Sequence, residues 1–203
     1  MAATTDIEQE QKWVTAARGG SMNAFSALVA LYEERSIRMA YSLLGNWEDA
    51  RDNAQEAFVK AYQALPKFKA ESRFSTWFYR ILVNQCRDFQ RKQNVRRHLA
   101  ASAPQPEGEE EQGLEEKIPS RSPSPLSELM NREIETRVRA GLQELPERQR
   151  VVFTLRYFEG LTLQEIAEAL NITEGAVKAN LWQAGEKMKP RLAAYVESRG
   201  AGS

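Results

Sequence analysis

Thr162-Leu163-Gln164-Glu165-Ile166-Ala167-Glu168-Ala169-Leu170-Asn171-Ile172-Thr173-Glu174-Gly175-Ala176-Val177-Lys178-Ala179-Asn180-Leu181-Trp182 is the most informative local pattern in the chain. Thr162 and Glu165 stand at the Thr-x-x-Glu spacing of a capping box, in which each side chain satisfies the other residue's backbone N–H. That box opens a helix to Leu170. Asn171 to Glu174 leave room only for a short turn, and the last helix then runs from about Glu174 to Val196, with Val177, Leu181, Ala184 and Met188 on one face. Two helices joined this tightly predict a helix-turn-helix, a motif whose second helix enters the DNA major groove by its first residues. Glu174, Lys178, Ala179 and Trp182 would face outward there. An ordinary helical hairpin fits the bare pattern too. A tryptophan opposite the packed face favours a binding surface, because so large an apolar group gains by finding a partner.

On the N-terminal side of this pattern helical periodicity persists. Leu126, Met130, Ile134, Val138 and Leu142 predict a helix over about 126–145, and Pro146 suits the first turn of the next, which ends near Glu159 with Gly160 behind it. Upstream of residue 98 four more helices are predicted: about 7–18, 22–44, 46–65 and 75–93. Gly45 is placed to cap the second of these, and Asn46 the third, with Glu48 and Asp49 favourable in its first turn. Phe78, Ile81, Leu82, Gln85 and Phe89 would form the buried face of the fourth. Between the two helical sets, residues 99–125 contain five prolines and the run Glu109-Glu110-Glu111, a composition that cannot bury enough apolar surface to order itself. The fold class is therefore all-α. An N-terminal extension (1–21) precedes a helical domain (22–97), an acidic Pro/Ser-containing linker (98–125) and a second helical domain (126–203).

Charge is segregated. The 203 residues hold 28 basic and 28 acidic side chains, but residues 57–98 carry ten basic against two acidic, and residues 99–130 two basic against seven acidic. Such asymmetry points to a polyelectrolyte partner. Arg80, Asn84, Arg87 and Arg91 follow Thr76 along one stripe of the 75–93 helix, with Asp88 its one acid and Lys92, Arg96 and Arg97 at its far end. Beside the aromatics Phe74, Trp77 and Tyr79, that stripe suits a nucleic acid with unstacked bases. Trp77 or Tyr79 is expected to be partly core. On the third helix Asp49, Asp52 and Glu56 share a face able to dock basic protein surface, and a solvated face explains the spacing equally well.

Other classes are poorly supplied. One cysteine, Cys86, and one histidine, His98, exclude an intrachain disulfide and leave no multi-cysteine metal site or Ser-His-Asp centre in prospect. Cys86 reads as a small core residue and His98 has no assigned role. There is no glycine-rich phosphate loop, and no apolar run long enough to span a bilayer. The polar, acidic start of the chain is unlike a signal peptide. A cytoplasmic protein without catalytic residues, metal or cofactor is expected.

Taken together, three ordered segments resemble the extracytoplasmic-function sigma factors of the sigma-70 family, which confer promoter choice on bacterial RNA polymerase. The first, Asp52-Asn53-Ala54-Gln55-Glu56-Ala57-Phe58-Val59-Lys60-Ala61-Tyr62, is similar to the family's core-binding helix. The second, Phe74-Ser75-Thr76-Trp77-Phe78-Tyr79-Arg80-Ile81, is similar to its −10-reading segment. The third, Leu145 to Arg150 followed by Tyr157 to Ala167, is similar to the start of its −35-reading domain. The resemblance implies that Asp49, Asp52, Gln55 and Glu56 dock on the clamp helices of the polymerase. It also implies that the loop with Lys69, Glu71, Ser72 and Phe74 holds a base flipped from the −10 element, at a cost of a few kcal/mol that the pocket must offset. Trp77, Arg80, Asn84, Arg87 and Arg91 would hold the separating strand. Glu174, Lys178, Ala179, Asn180, Trp182 and Gln183 would read the −35 element. The acidic linker would follow the path of RNA, and the implied partners are core polymerase (clamp helices and flap), promoter DNA and an anti-sigma factor. The free chain is expected to be monomeric, with no membrane insertion. No sensing domain is expected after Ser203, and regulation is expected from outside the chain.

The recognition helix departs from the family pattern. Asn180, Gln183 and Gly185 stand where basic residues are common in the family, so altered or weaker −35 reading is expected, with Lys178, Asn180 and Trp182 carrying more of it. Two other classes fit less of the chain. A sigma-like decoy that sequesters an anti-sigma factor leaves the arginine stripe unexplained. A freestanding helix-turn-helix regulator leaves both the acidic 49–56 face and the −10-like segment unexplained.

Overall fold

The computed structural model describes residues 2–101 and 141–200. The predicted linker, with Glu109-Glu110-Glu111, and most of the predicted 126–145 helix lie outside the described residues. Seven α-helices concern us: α1 (Ala2–Arg18), α2 (Met22–Leu44), α3 (Trp47–Ala64), α4 (Phe74–Ala101), α5 (Glu147–Tyr157), α6 (Leu163–Leu170) and α7 (Glu174–Gly200). A 3-10 turn, Leu65–Lys67, follows α3, residues 141–143 are also helical, and no strand occurs among the described residues. The chain divides into two compact units.

In the first unit α2 packs against α1, α3 and α4, and α3 packs against α4. The caps are the predicted ones. Gly45 adopts φ 73° and its N–H donates to the Tyr41 carbonyl, while the Asn46 side chain accepts from the Asp49 N–H at 3.0 Å. Small residues let α3 approach closely: Ala50, Ala54, Ala57 and Ala61 are all buried. Against them lies an aromatic cluster in which Phe78 stacks on Phe58 at 4.6 Å and lies 5.9 Å from Tyr32 and 6.0 Å from Phe74.

Two predicted helices are longer than their apolar patterns. The first starts at Ala2 rather than Ile7, and α4 runs to Ala101, so His98, placed at the start of the linker, lies within a helix. Polar residues such as Lys92, Gln93 and Asn94 end an apolar stripe without ending a helix, because nothing there breaks the backbone ladder. The buried face of α4 is also turned. Phe78 and Leu82 are buried as expected, but they are joined by Tyr79, Val83 and Cys86, while Ile81, Gln85 and Phe89 are only half-buried. Thr76, at the head of the predicted cationic stripe, is buried.

In the second unit α5 packs against α7, with Leu142, Leu145, Ala184 and Met188 forming a core cluster on which Phe153 rests. Pro146 sits just before α5 rather than inside its first turn, and α5 ends at Tyr157, two residues early. Gly160 supplies the left-handed turn (φ 70°) that leads into α6. The capping box is present: the Thr162 N–H donates to Glu165 Oε2 at 2.7 Å, and the Glu165 N–H to Thr162 Oγ1 at 3.2 Å. Asn171 takes the left-handed conformation (φ 53°) between α6 and α7, a position an asparagine tolerates. Thr173 Oγ1 then accepts from the Ala176 N–H to start α7.

Candidate nucleic-acid interface

α3 presents an acidic face. Asp52, Gln55 and Glu56 are exposed and Asp49 is half-buried, and Val59 and Tyr62 continue the exposed side by one turn each. This face is braced from behind. Asn53, buried, donates from Nδ2 to the Asp49 carbonyl at 2.7 Å and accepts from Gln85 Nε2 of α4 at 2.8 Å, and Lys60 Nζ donates to Gln85 Oε1. The chain of amides fixes α3 to α4 through groups that would be costly to leave unpaired.

Between the 3-10 turn and α4 runs the loop 68–73. Lys69 and Glu71 are exposed and lie 4.0 Å apart, Ser72 is half-buried, and Ala70 adopts φ 57°. An alanine in the left-handed region is disfavoured by about 1–2 kcal/mol, so the surrounding structure must impose that conformation. Two rings underlie the loop. Phe68 packs on Trp77 at 4.8 Å, and Phe74, only 3% exposed, lies 5.7 Å from Trp77 and 5.5 Å from Tyr32. Phe74 thus stands in the core as a floor to the loop, while half-buried Trp77 offers part of its ring to solvent. Tyr79 is fully buried.

Further along α4, Arg80, Asn84 and Arg91 are exposed and Arg87 is half-buried. Asp88, the acid in this stripe, pairs with Arg91 at 3.3 Å on a solvent-exposed face, where such a pair is weak. The result is a cationic helix face leading away from an aromatic-floored loop, an arrangement suited to an unstacked strand.

On α7 the structure separates the six candidate readers. Glu174, Lys178 and Ala179 are exposed, and Trp182 is 68% exposed. Asn180 is half-buried and its Nδ2 donates to the Ala176 carbonyl of its own helix at 2.7 Å. Gln183 Oε1 accepts from Gln149 Nε2 of α5 at 2.6 Å, and Gln149 Oε1 accepts in turn from Lys187 Nζ at 3.1 Å. Sequence reasoning missed Gln149, since its tie to α7 spans 34 residues. Burial also pulls the Arg150 guanidinium below its usual range, opposed by nearby Glu147. Among the described residues no cluster of side chains could hold a metal ion, and no helix is long and apolar enough to cross a membrane.

One unit with an acidic face and a separate cationic face, and another with a capped helix-turn-helix, make up a helical protein built to bind DNA. Comparison with known proteins narrows the class. Residues 28–96 match the family model for sigma-70 region 2, and residues 135–188 that for sigma-70 region 4. The ECF RNA polymerase sigma factor SigW of Bacillus subtilis (strain 168) is 31% identical over 182 residues, spanning 90% of this chain and 96% of that one. Among solved structures, CnrH in complex with the cytosolic domain of CnrY superimposes with a TM-score of 0.64 at 24% identity, covering 92% of this chain and 98% of CnrH. The sigma factor RpoE bound to the anti-sigma factor NepR from Bartonella quintana gives 0.63 at 18%, covering 83% and 96%. At those identities the likeness is one of fold. The chain belongs to the extracytoplasmic-function sigma factors of the sigma-70 family.

Proposed function

We propose that this chain acts as a non-enzymatic, dissociable subunit that brings core RNA polymerase to a promoter, opens the −10 region and then leaves the chemistry to the polymerase. The observation that carries the reading is the division of charge within the first unit. The acidic face of α3 and the cationic face of α4 are separate surfaces of one rigid core, so protein and nucleic acid can be held at once. Asp49, Asp52, Gln55 and Glu56 dock on the clamp helices, and Val59 and Tyr62 add apolar area to that contact. The 69–73 loop receives an extruded base above the Phe74 and Phe68 rings, and Ser72, Lys69 and Glu71 supply its polar edge. Trp77 stacks on the unpaired strand while Arg80, Asn84, Arg87 and Arg91 follow its phosphates.

In the second unit, α7 enters the major groove of the −35 element. With Asn180 and Gln183 engaged internally, Lys178, Ala179 and Trp182 carry direct contact, and Glu174 lies at the helix start. An anti-sigma factor acting on the chain in the cytoplasm accords with the family and with the complexes formed by its structural neighbours. The test is transcription in vitro by purified core polymerase on a library of randomised promoters, with and without the chain. Start sites that depend on the chain and share two spaced elements are expected, and a library transcribed no better with it than without would overturn the reading. Removing Arg80, Arg87 and Arg91 together should flatten the salt dependence of promoter binding, because each lost phosphate contact lowers the slope by about 0.7 for a single strand.

A further inference from the structure

Glu10 lies on α1, upstream of the residues that match the region 2 family model, and nothing in the reading above uses it. Its carboxylate nevertheless reaches into the core. The Tyr32 hydroxyl, from α2, donates to Glu10 Oε2 at 2.9 Å. Tyr32 is 3% exposed and its ring lies 5.5 Å from Phe74 and 6.3 Å from Tyr79. On the other side of the loop, α1 packs against the 3-10 turn Leu65–Lys67. Both ends of the 68–73 loop are therefore tied to α1: the entry by direct packing, the exit through Tyr32, whose ring packs on Phe74 at the head of α4. Between those ties sits Ala70 in its left-handed conformation, which persists only where the surroundings over-determine it.

We propose that Glu10 and Tyr32, with the Phe74 ring on which Tyr32 packs, form a buttress by which α1 sets the shape of the 69–73 loop, making Glu10 and Tyr32 positioning residues for reading the −10 base. The proposal rests on the assignment of that loop to base capture. Tyr32→Phe keeps the ring and removes the hydroxyl. Glu10→Ala removes the acceptor, and Glu10→Gln keeps an acceptor oxygen and serves as the rescue.

Two measurements on the full chain test it. The first is amide hydrogen exchange along residues 65–80. The second is the −10 base preference of holoenzyme made with each variant, read from a promoter library randomised at −10. In Tyr32→Phe and Glu10→Ala, exchange at 69–73 should quicken by about five- to tenfold, the change expected for losing one hydrogen bond. It should stay unchanged in α3. The −10 preference should fall by a similar factor while co-elution with core polymerase is retained, and Glu10→Gln should behave as wild type. Unchanged exchange at 69–73, or exchange that rises equally through α2, α3 and α4, would overturn the buttress. A looser loop with an intact −10 preference would overturn its role in base reading. A wild-type holoenzyme with no −10 preference would instead overturn the assignment of the loop itself.

Discussion

The two units solve the problem of presenting polar groups in different ways. In the first, the proposed working surface is spread over α3, the loop and α4, and it is fixed from below by an aromatic cluster (Tyr32, Phe58, Phe74, Phe78) and by an amide pair (buried Asn53 with half-buried Gln85). In the second, the proposed working surface is one side of α7, and its placement depends on end caps (Thr162, Thr173) and a small aliphatic core. A surface assembled from three elements is lost when the material beneath it is lost. A surface on one helix can be altered residue by residue. If α7 reads DNA as proposed, its contact residues can vary one at a time without disturbing the rest of the unit.

The largest effect should come from the floor of the first unit. Phe78→Ala, at a fully buried position, should destabilise that unit by about 3–5 kcal/mol. In hydrogen exchange, protection in α2–α4 should collapse while protection in α5–α7 is kept; equal loss in both would show that they are not separate folding units. Next, Lys178→Ala and Trp182→Ala should each cost about 1–3 kcal/mol of discrimination at the −35 element and leave −10 preference untouched. Selection from promoter libraries measures this, and an unchanged −35 preference would contradict the role given to α7.

Thr162→Ala should cost about 1 kcal/mol, the value of one N-cap, as faster exchange at the start of α6 and a lower thermal midpoint of the second unit. The last effect separates the units by pH. Burial, followed by the neighbouring Glu10 carboxylate, holds the Tyr32 hydroxyl protonated well above the usual tyrosine value of 10.0. The folded state keeps this proton more tightly than the unfolded chain. Its contribution to stability is therefore complete below pH 10 and is lost as pH rises beyond it. Denaturant titrations between pH 9 and about pH 11 should show the first unit weakening more than the second, and Tyr32→Phe should remove that part of the slope.

Much of this was legible in the sequence because the signals were local. The Thr162/Glu165 box, the Gly45 and Asn46 caps, and the outward set Glu174, Lys178, Ala179 and Trp182 are patterns within four to nine residues, and the structure places each as read. What was not legible depends on packing between distant segments. No periodicity announces that Phe74 turns into the core, that Gln183 is taken up by Gln149, or that Glu10 meets Tyr32 across 22 residues. The buried face of α4 differs from the one its periodicity predicts for the same reason. Its apolar residues are numerous enough to allow several buried stripes, and contact with α2 and α3 selects the one through Tyr79, Val83 and Cys86.

The central claim is that α3 carries a docking face for core polymerase, and it is tested most directly by gel filtration of the full chain with core, beside Asp52→Lys/Glu56→Lys. Both positions are exposed, so the variant should fold as wild type does, which circular dichroism would verify. Wild type should co-elute with core, and the variant should lose affinity by about 100-fold or more, as expected when like charges meet across an interface. Co-elution of the variant as complete as that of wild type, or failure of wild type to bind core, would contradict the account.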